Sequence, residues 1–158
     1  RQVYWSMGSL TRANWAANGV LAAVLIIALP ILWALGWRLT ALRLGDARAT
    51  AMGINTSRLR VVVLIVVSLV AATTVAFAGI IGFIGLVGPH IARMLVGEDQ
   101  RYFLPASMAA GAAVMCAAHA VSLMIKPGLA IPIGIVTSLL GVPFFIAIVM
   151  TRRRALWT

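Results

Sequence analysis

The stretch Val61–Ala92, VVVLIVVSLVAATTVAFAGIIGFIGLVGPHIA, decides how this chain folds. It is 32 residues without a single Asp, Glu, Lys or Arg, about 48 Å as one helix, which overshoots a hydrocarbon core of roughly 30 Å. Either one steep helix crosses the bilayer here, or two shorter ones cross and return. The second part carries Gly79, Gly82, Gly85, Gly88 and Pro89, and a glycine turn near Gly79 can reverse the chain.

Working outward, Ala13–Trp37, Tyr102–Ile125 and Pro127–Thr151 are equally free of charge, and with the central stretch they make up most of the 158 residues. The chain is 63% hydrophobic and 10% charged, with mean hydropathy +1.06; soluble domains are nearer half apolar and a quarter charged. The predicted fold class is therefore all-α integral membrane protein.

The basic residues choose between four and five spans. With a reversal near Gly79, Arg38, Arg43, Arg48, Arg58, Arg60, Arg93, Arg101 and Arg152, Arg153, Arg154 share one side, leaving Arg1, Arg12 and Lys126 on the other. Without it the split becomes nearly even. Positively charged loops stay in the cytoplasm, so five helices are expected, near 15–37, 61–78, 81–96, 104–125 and 131–150. The N-terminal segment is then outside and the C-terminus cytoplasmic. Pro30 and Pro143 are tolerated kinks, and the glycines of the third helix form a small-residue face for close packing. The net charge of +10 marks topology and headgroup contact, so no nucleic-acid partner is expected. Cys116 is the one cysteine, which excludes an intrachain disulfide. The chain starts without Met and without a signal-peptide pattern, so it is expected to begin within a longer protein.

Between the first two helices lies RLTALRLGDARATAMGINTSRLR, residues 38–60, the longest polar stretch. It reads as two short helical pieces broken at Gly53, with Asp46 as an N-cap before Ala47–Met52 and Asn55 or Thr56 starting the next turn. Such an element either rests on the membrane surface or docks a cytoplasmic partner.

Chemistry is sparse. There is no GxxxxGK[ST] phosphate loop, and the acids are Asp46, Glu98 and Asp99, all in loops. An ion-coupled carrier needs carboxylates within the bilayer, so a secondary transporter or channel is the weaker alternative. His90 and His119 stand on different helices without a carboxylate or thiolate nearby, which defines no metal site. Ser122 and His119 are three apart on one helix, the pair an intramembrane hydrolase would need, but no glycine-flanked nucleophile accompanies them. No catalytic residue and no metal ligand is assigned.

LGDARATAMGINTSRLR, AGIIGFIGLVGPHIAR, LPASMAAGA and IPIGIVTSLLGVPFF resemble, in order and spacing, the signature segments of the permeases of type II ABC importers for iron-siderophores, haem and vitamin B12. The resemblance runs from about Trp5 to Arg154. It implies a permease of about ten helices, working as a pair with two cytoplasmic ATPases and an external binding protein. Residues 1–158 then form a single transmembrane region, the C-terminal half of such a permease, with 38–60 as its cytoplasmic coupling loop. Its second to fifth helices would match the family's seventh to tenth.

Carried to matching positions, the resemblance makes Leu44, Gly45, Asp46, Arg48, Ala49, Met52, Gly53 and Asn55 the element that fits a cleft on the ATPase. Thr137, Ser138 and Gly141 would line the translocation path, and Arg12 and Lys126 would meet the binding protein. The resemblance implies a partner permease that is a second copy or a homologue, lipid around both, and ATP and magnesium on the ATPase, with no cofactor on this chain. His119, Leu123 and Ala130 stand where the family often has an acid, an Arg and a Glu. The expected function is ATP-driven import of an iron-siderophore or similar metal chelate across the cell (inner) membrane.

Overall fold

In the computed structural model, residues 6, 8, 10, 13–125, 127, 128 and 131–155 are described. Among them the regular structure is entirely helical: α1 Trp15–Ala34, α2 Gly36–Leu42, α3 Asp46–Ala51, α4 Thr56–Ala78, α5 Ile84–Val96, α6 Gln100–Ile125 and α7 Ile133–Ala155. Four of these, α1, α4, α6 and α7, are long and apolar enough to cross a membrane. Their packing inverts that of a soluble bundle. Along α4, Val61, Leu64, Ile65, Val67 and Leu69 are exposed while Leu59 alone is buried, an arrangement that water would penalise and lipid does not. Hydroxyls on these helices are satisfied locally: Thr73, Thr74 and Thr151 each donate to the carbonyl four residues back, at 2.7 to 2.8 Å.

The central stretch does reverse. Asn55 caps α4, its side chain accepting from the Arg58 amide at 3.0 Å. The helix ends at Gly79, whose φ of 76° removes it from the helical region. Residues 79–83 then run without regular structure to Phe83, which holds a left-handed φ of 65°, and α5 begins at Ile84. Helix α5 leads back to the end of the molecule from which α4 departed, because Glu98, just beyond it, meets Arg43 at 3.0 Å.

Two boundaries expected from the sequence are corrected here. The third helix starts at Ile84 rather than 81, so Gly79 and Gly82 lie outside it. At 13 residues α5 is about 20 Å long, too short to cross by itself. The first expected helix, 15–37, is broken at Leu35 into α1 and α2.

The close-packing seam also differs from the expected glycine face. Gly85 has open space where a Cβ would be, whereas a Cβ on Gly88 would lie 3.1 Å from the Ser107 carbonyl oxygen and 3.2 Å from the Gly111 Cα. Gly88 and Ala92, four apart on α5, are both buried, and Ser107 and Gly111 are four apart on α6. Small residues at that spacing let two backbones approach, the main source of helix adhesion in lipid.

Candidate functional site: the 38–60 segment and the cleft beside α7

The polar stretch folds as a compact knob on the end of the helices. Gly45 takes φ 105° and ψ 153° and serves as the N-cap of α3 without a side-chain bond, so Asp46 is the first helical residue rather than the cap. Its carboxylate instead receives both guanidinium nitrogens of Arg60, at 2.7 and 3.0 Å. Ala49 is fully buried against Ala41, Ile54 and Leu59, with Leu35, Leu39, Leu42 and Val63 around them. Gly53 returns the chain with φ 81°, and the Ile54 amide donates to the Ala49 carbonyl at 3.1 Å. Leu44, Arg48 and Met52, four apart, are left exposed. A short helix is thus fixed from below by an alanine, closed at both ends by glycines, and tied by one bidentate ion pair. It presents an apolar and basic ridge.

A second set of contacts fastens this knob to the turn between α5 and α6. Arg43 reaches Glu98 twice, by its carboxylate at 3.0 Å and its carbonyl at 3.1 Å, and Arg93 approaches the same carboxylate at 3.7 Å. The Gln100 amide donates to the Thr40 hydroxyl at 3.1 Å, and a Cβ on Gly36 would touch Arg101 at 3.4 Å. The structure therefore gathers Arg43, Arg60, Arg93 and Arg101 at one end of the bundle.

Near the other end, a cleft of about 680 Å³ lies between the 80–82 segment and the first turns of α7; its walls include Ile80, Gly82, Ile135, Ser138, Leu139 and Val142. Ser138 is thus on the cleft, its hydroxyl donating to the Gly134 carbonyl at 2.7 Å. Thr137 is buried, donating to that same carbonyl at 3.1 Å, and Gly141 lies under the Phe83 side chain; neither forms the cleft wall. Arg12 and Lys126, as well as Ala130, fall outside the described residues.

Ser122 and His90 have structural partners. Ser122 donates to the Ile131 carbonyl at 3.1 Å, which pins α6 to the start of α7 rather than arming a nucleophile. His90 meets the Phe144 ring edge-on, centroids 5.3 Å apart. No group of three metal-ligating side chains occurs among the described residues.

The described residues thus form a multi-pass helical arrangement with an ordered knob at one end and a largely apolar cleft beside α7. Residues 1–151 match the family model described as the FecCD transport family. The chain is 40% identical over 150 residues to the Fe(3+)-citrate import system permease of Bacillus subtilis, covering 95% of this chain and 45% of that one. It is 37% identical to the hemin transport system permease of Yersinia pestis, covering 94% and 45%. A solved structure, of an ABC transporter assigned to the metal-chelate type and captured inward-facing, superposes with a TM-score of 0.88 at 36% identity, over 94% of this chain and 49% of that one. The chain belongs to the FecCD transport family. It spans about half the length of the relatives it matches.

Proposed function

We propose that this chain supplies half of the membrane subunit of an ATP-driven importer that carries a metal chelate, of the iron-siderophore or haem kind, into the cytoplasm. The observation that carries the reading is the knob at residues 44–55: an exposed, internally braced helix end, fastened through Glu98 to the turn between α5 and α6. Its position and bracing suit a part that receives a push. The relatives' cargoes support the chelate class. In this reading two ATPases, a second permease and an external binding protein complete the assembly, and all ATP chemistry belongs to the ATPases. Closure of the ATPases moves the knob, the Glu98 contacts pass that motion to α5 and α6, and the cleft between the 80–82 segment and α7 changes access.

The test is a cross-link. Leu44 is 57% exposed at the edge of the ridge. On a Cys116→Ser background, Leu44→Cys carrying a thiol-attached photo-cross-linker is expected to cross-link to the ATPase subunit in assembled complexes, and Leu64→Cys, exposed on α4, is not. Equal labelling of both, or of neither, removes the coupling role.

The same reading places the arginine-gathered end in the cytoplasm of a cell (inner) membrane protein, with the C-terminus on that side. A cysteine at Asp99, exposed in the turn before α6, is expected to resist a membrane-impermeant thiol reagent in intact cells and to react after lysis. Labelling from outside would reverse the topology.

A further inference from the structure

Beside the knob, where α1 gives way to α2 and α4 begins, lies a cavity of about 290 Å³. Its walls divide by chemistry. Arg38 and Arg58 supply two guanidinium groups; Leu35, Leu59 and Val62 supply an apolar floor; Trp37 stands at the rim, with the Arg38 guanidinium 5.6 Å from its ring centroid. The ion pairs among the described residues engage Arg43, Arg60 and Arg93. Arg38 and Arg58 have no carboxylate partner there, although three acids are present in the chain. Two unneutralised cations facing one cavity repel each other, so an anion placed between them is favoured.

We propose that this cavity binds the headgroup of an anionic phospholipid, with its phosphodiester between Arg38 and Arg58 and an acyl chain running along α4. Two features favour a lipid over a soluble phosphate. The floor is continuous with the exposed apolar side of α4, through Val61, Val62, Leu64 and Ile65, which offers a track for a hydrocarbon chain. The site also lies where α1 passes into α2, which carries Arg38, and where α4, with Arg58 and Arg60 near its start, begins, the depth at which indoles sit at the headgroup level and basic pockets between helices hold acidic lipids. Because Met52, Gly53 and Asn55 form the opposite wall, a bound lipid braces the knob from the membrane side. The inference rests on the proposed membrane orientation but not on the identity of the cargo.

Native mass spectrometry of the assembled transporter, released from nanodiscs containing phosphatidylglycerol and phosphatidylcholine, tests the site. One phosphatidylglycerol per chain is expected to be retained. In Arg38→Gln/Arg58→Gln its retention is expected to weaken about 25-fold, two charges at about fivefold each, while Arg152→Gln/Arg153→Gln leaves it unchanged. Equal loss in both variants would mean diffuse attraction to the surface and overturn the site. So would equal retention of phosphatidylcholine, or displacement of the lipid by millimolar inorganic phosphate. Should the first variant fail to assemble, the unmodified complex decides: a photoactivatable phosphatidylglycerol is expected to label peptides covering residues 35–38 and 52–62, and a neutral analogue is not. Labelling that appears only when the ATPases are stripped away would assign the cavity to that protein instead and refute the lipid.

Discussion

Gly53→Val is expected to insert and retain its ATPase while importing cargo at least about ten times more slowly. The reason is conformational. At φ 81° Gly53 occupies backbone space that a β-branched residue avoids, yet an added Cβ meets no atom within 4 Å. No clash opposes the added Cβ; the cost is the backbone, about 1–3 kcal/mol, which the chain relieves by changing the angle between α3 and α4. That sum is too small to unfold four packed spans but matches the coupling free energies by which sites communicate, typically 5–150-fold in effect. A graded series follows, with Asn tolerated best because it enters the left-handed region readily, Ala intermediate and Val worst. Asp46→Ala should do less: the Arg60 pair is about half exposed on both partners, and such pairs contribute at most about 1 kcal/mol. Uptake measured beside membrane abundance and ATPase co-purification checks all four. Normal uptake by the valine variant would make the segment a passive connection.

Gly141→Ala should be the most damaging single methyl in α7. A Cβ there would overlap the Cβ and Cγ of Phe83, and no rotamer change carries the Phe83 Cβ away. Phe83 itself is held at a left-handed φ, so it has little freedom to retreat. Overpacking of this kind costs roughly 1–3 kcal/mol, and displacement of Phe83 drags Gly82 and Ile80, which wall the cleft. A thermal midpoint lowered by several degrees and a marked drop in uptake are expected. The pair Phe83→Gly/Gly141→Ala, which removes the opposing Cβ, should recover much of the Gly141→Ala loss, a non-additivity of about 0.5–3 kcal/mol between contacting residues. Strict additivity would show that the two do not meet.

The spans were legible because hydropathy reports where lipid is. The reversal at Gly79 and the break at Gly53 were legible because glycine marks a backbone that other residues resist. The helix limits were not, since charge marks the edge of the bilayer and not the end of a helix. Helix α4 starts at Thr56, ahead of Arg58 and Arg60, and α7 continues through Arg152–Arg154; long arginine stems reach the headgroups while the backbone stays helical. The start of α5 was hidden for the opposite reason, as IIGFIG is uniformly apolar and its break is set by Phe83 packing on α7. Nor does any spacing rule pair Asp46 with Arg60, or Arg43 with Glu98; these contacts exist only once the helices are side by side. The family roles of 44–55 and of Thr137, Ser138 and Gly141 came through resemblance, not chemistry.

The bond between Arg43 and Glu98 joins residues 55 positions apart, and this separation sets an order of assembly. At about 5–20 residues per second, a ribosome needs roughly 3 to 10 s to reach Glu98 after Arg43 has been made. During that interval α1 and α4, neighbours in the finished fold, are available to pair, while the knob is held only by its own alanine, glycines and ion pair. Its fastening waits until the α4–α5 hairpin has entered the bilayer and returned. The 44–55 knob therefore matures only after α5 has been made, and a nascent chain stalled before residue 98 would carry α1 and α4 with the knob still unfastened.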